Sequence, residues 1–240
     1  MTWLIVPAAG ISSRFGSELP KQYHLLGSKS VLELNLRGLC KHPAVSGVML
    51  ALAADDPHWP AVAAAFGWLH PHSGHLQQKP VLTCEGGATR ADSVLAALRA
   101  LPDSVASESL VAVHDAARPG LSPSTLSAVL AAAAGHPVGA IVALPVFDTI
   151  KQLAADRSIA RTVDRASLVR AQTPQVFRRG QLMWALDQAR AQGITVSDEA
   201  QAMELVGAFG RVVEGSEVNL KITSQTDLKL LQLYLQMNDG

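Results

Sequence analysis

The chain has 240 residues, 48% of them hydrophobic, and balances 20 Lys and Arg against 20 Asp and Glu. That length and apolar content suit one large α/β domain, expected to span 1–240, better than two small ones. A net charge of zero gives no global attraction to nucleic acid or an anionic membrane, so neither is expected as a partner and any anion selectivity must be local.

The chain opens with an apolar strand over 2–6 that runs into Pro7-Ala8-Ala9-Gly10-Ile11-Ser12-Ser13-Arg14-Phe15-Gly16, with Pro20-Lys21 beyond. A loop of such small residues lets backbone N–H groups approach a ligand closely, and Arg14 and Lys21 supply the charge that a polyphosphate needs. The loop is neither a Walker motif nor a dinucleotide fingerprint, because no G-x-x-x-x-G-K-[ST] occurs and Gly10 to Gly16 does not fit G-x-G-x-x-G. The apolar start is too short for a signal segment and lacks a basic flank. The Ala-rich run near 126–134 is broken by Gly135-His136-Pro137 before it could span a bilayer, so a cytoplasmic protein is expected. Cys40 and Cys84, far apart and without partners at metal spacing, read as two reduced thiols.

Apolar runs then alternate with amphipathic segments: helix 31–41, strand 47–53, helix 57–66, strand 80–83, helix 89–101, strand 110–113, helix 122–134 and strand 138–145. Continuous Val/Ile/Leu/Ala strands separated by helices predict a three-layer, Rossmann-like, mostly parallel sheet covered on both faces, with ligands at the strands' C-terminal edge. Segment 67–79, with His70, His72 and His75, reads as a variable loop, since Pro71 and Gly74 break any helical face that could gather the imidazoles.

Two segments on that edge carry chemistry. Thr89 is a good N-cap with Asp92 three residues on, and Arg90 opposes the helix dipole, a placement that makes sense if the helix end and the guanidinium share an anion. Ser93 is on the same face as Arg90, and Gly86-Gly87-Ala88 exposes backbone just upstream. His114-Asp115-Ala116-Ala117-Arg118-Pro119 follows the strand at 110–113. Asp115 could there hold a divalent cation or a ribose hydroxyl, and Arg118 a phosphate, unless the two simply pair with one another; His114 reads as a structural residue at the strand end.

Residues 147–165 form a polar, weakly apolar hairpin that cannot bury itself, so an arm over 146–166 is expected to pack on a second copy and make a homodimer. A helix near 178–192, another over 198–206, a strand at 211–214, a polar strand at 219–223 and a closing helix from about Asp227 complete the expected order. Thr149, Arg165, Thr173, Ser197 and Lys221 are small hydroxyls or cations near element ends, and Arg14, Lys21, Arg90, Arg118, Arg165 and Lys221 together could concentrate positive charge in one neutral protein.

The ordered set P-A-A-G, P-K-Q-Y, G-G-A-T-R-A-D-S-V, H-D-A-A-R-P, P-V-F-D-T-I-K, T-V-D-R, Q-T-P-Q-V-F, S-D-E-A and N-L-K-I-T closely resembles the 2-C-methyl-D-erythritol 4-phosphate cytidylyltransferase family over about residues 3–229. The resemblance implies CTP and a sugar-alcohol phosphate as substrates, Mg2+ as cofactor, bound mainly through the CTP phosphates, and a dimer whose arm helps form the partner's site. It implies Arg14, Lys21 and Lys221 at the phosphates, with Ala8, Ala9, Gly10, Gly87, Arg90, Ser93 and Asp115 around the nucleotide. Arg118, Thr149, Arg165, Thr173 and Ser197 would serve the second substrate. Ser12 stands where the family pattern has glycine, Ala88 where it is often acidic, and Ser197 where Thr is usual.

Overall fold

The computed structural model describes residues 1–10, 15–68, 70 and 72–238. In chain order the elements are β1 (Thr2–Pro7), β2 (Leu25–Leu26), β3 (Lys29–Ser30), α1 (Val31–Lys41), β4 (Val45–Leu52), α2 (Trp59–Ala65), β5 (Ser73–Leu76), β6 (Lys79–Glu85), α3 (Arg90–Ala100), β7 (Leu110–Val113), α4 (Pro123–Ala134) and β8 (Gly139–Pro145). There follow β9 (Ile150–Leu153), β10 (Ile159–Val163), β11 (Val169–Arg178), α5 (Arg179–Ala191), α6 (Glu199–Leu205), β12 (Arg211–Glu214) and α7 (Gln225–Asn238). Eight strands form one sheet in the order β12-β8-β11-β7-β1-β4-β6-β5, parallel except where β11 pairs with β7 and β8 and where β5 pairs with β6.

Strand alternation divides the core between the two faces of this sheet. Leu4 and Val6 of β1 face Leu32 and Leu36 of α1 and Leu126 and Val129 of α4, whereas Ile5, between them, faces Val94 and Leu98 of α3 and Leu182 and Leu186 of α5. All of these are at most a few per cent exposed, and truncating Ile5 or any of the leucines to Ala should cost about 2–5 kcal/mol. The three-layer α/β architecture expected from the sequence is therefore the one observed. Helix starts follow the capping chemistry: the Thr89 hydroxyl accepts from the Asp92 N–H at 3.1 Å while the Asp92 carboxylate accepts from the Thr89 N–H at 3.2 Å.

Three differences from the sequence expectations have physical causes. Segment 67–79 is not wholly loop, because Ser73–Leu76 pairs antiparallel with β6 and closes the sheet edge through backbone bonds that the polar His-Gly sequence does not advertise. No strand forms at 219–223; Ile222, fully buried beside Phe15, Leu26, Val31 and Leu231, anchors that segment as irregular chain instead. The ten-residue β11 carries Arg, Gln and Pro174 and shows no strand period, yet it is the strand that joins β7 to β8. Its register shifts between Ala171 and Gln175, the stretch that accommodates a proline without a ladder N–H.

The hairpin foreseen within 146–166 is present: β9 and β10 form a separate two-stranded sheet, with Phe147, Leu153 and Ile159 each more than half exposed.

Candidate functional site

A cavity of about 470 Å3 opens at the C-terminal edge of the parallel strands, between the ends of β1, β6 and β7. Here the chain crosses from the β4–β6 side of β1 to the β7 side, the kind of switch point at which open α/β sheets bind ligands. Pro7, Ala8, Ala9 and Gly10 form one wall, Gly87 to Arg90 and Ser93 another, Asp115 to Ala117 a third, and Lys21 and Lys221 reach in from separate segments. All the residues that the family pattern places around a nucleotide thus line one space, although they are drawn from 8 to 115 along the chain.

The walls are held by specific bonds. Gln22, buried, donates its side-chain N–H to the Ala8 carbonyl at 2.8 Å, and Tyr23 donates its hydroxyl to Asp56 at 2.7 Å, so the short turn carrying Lys21 is tied to both β1 and the loop after β4. The Ser93 hydroxyl accepts from the Gly87 N–H at 3.1 Å and donates to the Thr89 carbonyl at 3.0 Å, fixing the glycine turn against the first turn of α3. Any side chain at Gly86 would meet the Ala9 methyl group at 2.5 Å, so the glycine lets the second wall close onto the first.

Asp115 is the electrostatic hub. Its Oδ1 accepts from Arg90 at 3.0 Å, and its Oδ2 accepts from Lys221 at 2.9 Å and Arg118 at 3.2 Å. Burial alone would raise the Asp115 carboxyl, but Arg90, Lys221 and Arg118 together hold it well below the usual carboxylate range. Burial likewise acts to lower Arg90, and Glu199 and Asp115 overcome it and raise the guanidinium. Arg118 remains lowered, because its burial outweighs its pairing with Asp115. Three cations against Asp115 and Glu199 leave the cluster with one net positive charge.

Beneath the hub lies a neutral chain of hydrogen bonds. The Asp115 N–H donates to Thr173 Oγ1 at 3.0 Å; Thr173 is 3.0 Å from His114 Nδ1, and His114 Nε2 is 2.9 Å from the Arg118 carbonyl. This order fits a neutral imidazole that accepts at Nδ1 and donates at Nε2. Burial pushes His114 down to about 4, in keeping with that form. Asn35 of α1 donates to the carbonyls of Asp115 and Ala116, and Arg118 donates to the Asn219 carbonyl at 2.7 Å, which carries the network to the segment bearing Lys221.

The sequence-derived candidates therefore fall into groups. Ala8, Ala9, Gly10, Lys21, Gly87, Arg90, Ser93, Asp115 and Lys221 share the cavity wall. Arg90 is engaged by the Asp115 and Glu199 carboxylates rather than left for an incoming anion, and both Asp115 oxygens are occupied by cations rather than open to a metal. Arg118 and Thr173 are buried behind the wall and bond to Asp115. Ser197 is exposed and its N–H donates to Gln201 Oε1 at 2.6 Å. Thr149 and Arg165 sit on the arm, with Arg165 bonded to the Phe147 carbonyl, and neither lines the cavity. Arg14 and Ser12 lie outside the described residues.

Gln22, Asn35, Glu199 and Asn219 went unassigned from sequence. A buried amide or carboxylate on an apolar helix was the available signal, as in Leu-Asn-Leu at 34–36, but its partner is far along the chain and only the fold reveals it. Among the described residues no group of three His, Cys, Asp or Glu side chains could hold a metal ion, and no helix is long and apolar enough to cross a membrane.

A family model described as 2-C-methyl-D-erythritol 4-phosphate cytidylyltransferase matches residues 2–237. A Stenotrophomonas maltophilia (strain K279a) protein of that name is 48% identical over 238 residues, covering 99% of this chain and 98% of its own. A Xanthomonas axonopodis pv. citri protein, also of that name, is 48% identical and is covered over 85% of its length. Among solved structures, a 4-diphosphocytidyl-2C-methyl-D-erythritol synthase superimposes with a TM-score of 0.79 at 32% identity, covering 98% of both chains. The Francisella tularensis 2-C-methyl-D-erythritol 4-phosphate cytidylyltransferase does so with a TM-score of 0.79 at 30% identity, covering 97% of this chain and 98% of its own.

Proposed function

The chain belongs to the 2-C-methyl-D-erythritol 4-phosphate cytidylyltransferase family, whose reaction transfers CMP from CTP to 2-C-methyl-D-erythritol 4-phosphate, and on that premise we propose how its residues divide the work. The observation that carries the reading is the convergence of Lys21 and Lys221, 200 positions apart in sequence, on one cavity walled by the small residues Ala8, Ala9, Gly10 and Gly87.

The nucleophile is an oxygen of the acceptor's phosphate monoester, already largely ionised at neutral pH because its second pKa is about 6. This oxygen forms a bond to the α-phosphorus of CTP as the bond to the β-phosphate oxygen breaks, and pyrophosphate leaves with the electron pair. No general base is required, which suits a cavity lined by no histidine among the described residues, with His114 buried behind the wall and already committed to Thr173 and Arg118. The barrier lies in bringing two polyanions together and stabilising charge on the α-phosphate and the leaving group, a task for positioned cations.

Lys21 and Lys221 take the phosphates, joined by Arg14 on the strength of the family pattern. Ala8, Ala9, Gly10, Gly87 and Ser93 surround the base, reading it largely through backbone groups, while Arg90 and Asp115 fix the ribose side of the cavity. Arg118, Thr173 and Ser197 belong to the acceptor's half of the site, completed by Thr149 and Arg165 from the arm of a second copy. The exposed apolar pair Leu153 and Ile159, opposite one another on β9 and β10, supports that homodimer.

Mg2+ is the proposed cofactor. The donor set fits a cation carried mainly by the CTP phosphates: Asp115, the one carboxylate on the cavity wall among the described residues, has both oxygens engaged by Arg90, Arg118 and Lys221, and Mg2+ commonly takes substrate phosphates as ligands. Bound with CTP, Mg2+ would draw charge from the phosphate oxygens.

Pyrophosphate release measured with CTP, UTP or ATP against a panel of acceptors tests the reading. CTP with 2-C-methyl-D-erythritol 4-phosphate should be turned over and CTP alone should not. Preferential turnover of ribitol phosphate, or CTP binding without any release, would overturn it.

A further inference from the structure

Glu199 is the least exposed acidic side chain in the molecule among the described residues, at 1%, and it does not line the cavity. It meets Arg90 with both oxygens, Nη1 to Oε1 at 2.6 Å and Nη2 to Oε2 at 3.1 Å, while the Nε of the same guanidinium reaches Asp115 Oδ1. Paired fork contacts of this kind fix orientation as well as charge. We propose that Glu199 is a positioning residue for CTP binding, acting through Arg90 to set the rotation of the Asp115 carboxylate and hence the placement of Lys221.

Two observations separate this role from ordinary packing. The carboxylate of Asp115 is divided: Oδ1 serves Arg90, while Oδ2 is shared by Arg118 and Lys221. Whatever turns Arg90 therefore turns the oxygen on which Lys221 rests. The second is the rigidity of the support. Gln175 of β11 clamps the start of α6 from both sides, accepting from the Ala200 N–H at 2.8 Å and donating to the Asp198 carboxylate at 2.9 Å. Three residues before Gln175, Gln172 and then Thr173 reach Asn219 and the Asp115 N–H. Asp115 is thus fixed twice from the β11 side, through its backbone by Thr173 and through its side chain by the Glu199–Arg90 relay. Arg90, against the dipole at the first residue of α3, also needs a countercharge, and Glu199 supplies it. Without Glu199 the guanidinium would have Asp115 as its one carboxylate partner, and the Asp115 oxygens would turn toward it and away from Lys221.

The proposal rests on the nucleotide reading of the cavity, so affinity and turnover are measured separately. Calorimetry with CTP should show Glu199→Gln weakening binding by about 10- to 100-fold, the range typical of lost outer-shell partners, with a matching rise in KM for CTP. Arg90→Gln should weaken binding similarly, and the double variant should fall no further than Arg90→Gln alone, since both act through one guanidinium. A purely structural role would reduce the fraction of active protein and leave KM and affinity unchanged. Native CTP affinity in Glu199→Gln, or losses that multiply in the double variant, would overturn the relay. Should Glu199→Gln not fold, Glu199→Asp keeps the charge but shortens the reach; a several-fold weaker CTP affinity would support the role, and native affinity would refute it. A wild-type protein that binds CTP yet releases no pyrophosphate would sink the functional reading while leaving the relay to be judged on affinity.

Discussion

The cavity and the arm solve opposite physical problems within one chain. Around Asp115 the charged groups are all paired and nearly everything is buried, with Asp115, Arg118, Thr173, Glu199 and Asn219 each under 9% exposed; among the described residues the Asn219 Oδ1 is the one buried side-chain polar atom without a hydrogen-bond partner. On the arm, β9 and β10 hold one another by backbone pairing and a few exposed side-chain bonds, such as Arg161 to Gln152 at 2.7 Å and Lys151 to Thr162 at 2.7 Å, with no core beneath. The contrast teaches that the cavity is built into the cooperative fold, whereas the arm is a two-stranded ribbon of a size that is marginal by itself in water.

The contrast breaks most readily at Asp115. Asp115→Ala leaves Arg90, Arg118 and Lys221 without their common anion, and removing one partner from a buried pair typically costs about 3–5 kcal/mol. Urea unfolding should show that loss together with abolished turnover; native stability would mean that the hub is not part of the fold's support. Lys21→Ala should separate the two properties, lowering kcat by about 100-fold or more, roughly 3 kcal/mol of transition-state stabilisation, with little change in Tm. Turnover at the wild-type rate would remove Lys21 from the phosphates.

Acid should loosen the cavity side before the arm. His114 is neutral in the fold with its pKa pushed down to about 4 by burial, while an unfolded histidine titrates near 6.5. Between those values the unfolded chain binds the extra proton, so this contribution is complete above about pH 6.5 and is lost as pH falls toward 4, to a limit of about 3 kcal/mol. Burial lowers His42 as well, in the same direction. A urea midpoint constant from pH 7 to 4.5 would contradict this. The smallest effect on stability belongs to the arm: Leu153→Asp with Ile159→Asp, both exposed, should leave the urea midpoint nearly unchanged but shift light scattering from dimer to monomer. An unaltered dimer would show that the arm is not what joins the copies.

How much of this was legible beforehand follows the same divide. Strands β1, β4, β7 and β8 announce themselves because burial on both faces demands unbroken apolar runs, and α3 because Thr89 and Asp92 write its cap. β11 hid because its positions are chosen for what they touch: Gln172 and Thr173 are polar since each bonds a distant loop, and Gln175 since it bonds the first turn of α6, which erases the strand period. Arg90 was visible as a misplaced cation, but its resolution, Glu199, is 109 positions away and could only be supplied by the packing of α6 against α3's start. The 219–223 segment was misjudged for a related reason: Ile222 is buried by a loop cluster, not by a sheet.

Subunit complementation tests the division of labour most directly. Lys21→Ala protein retains an intact arm, and Arg165→Ala protein retains an intact cavity; each alone should be nearly inactive in pyrophosphate release. Mixed in equal amounts and allowed to exchange, half the dimers are heterodimers with one intact cavity served by one intact arm, so activity should recover to about a quarter of wild type. Activity no greater than the sum of the two separate variants would place Arg165 at its own cavity or at none, and the account of a site shared between copies would fail.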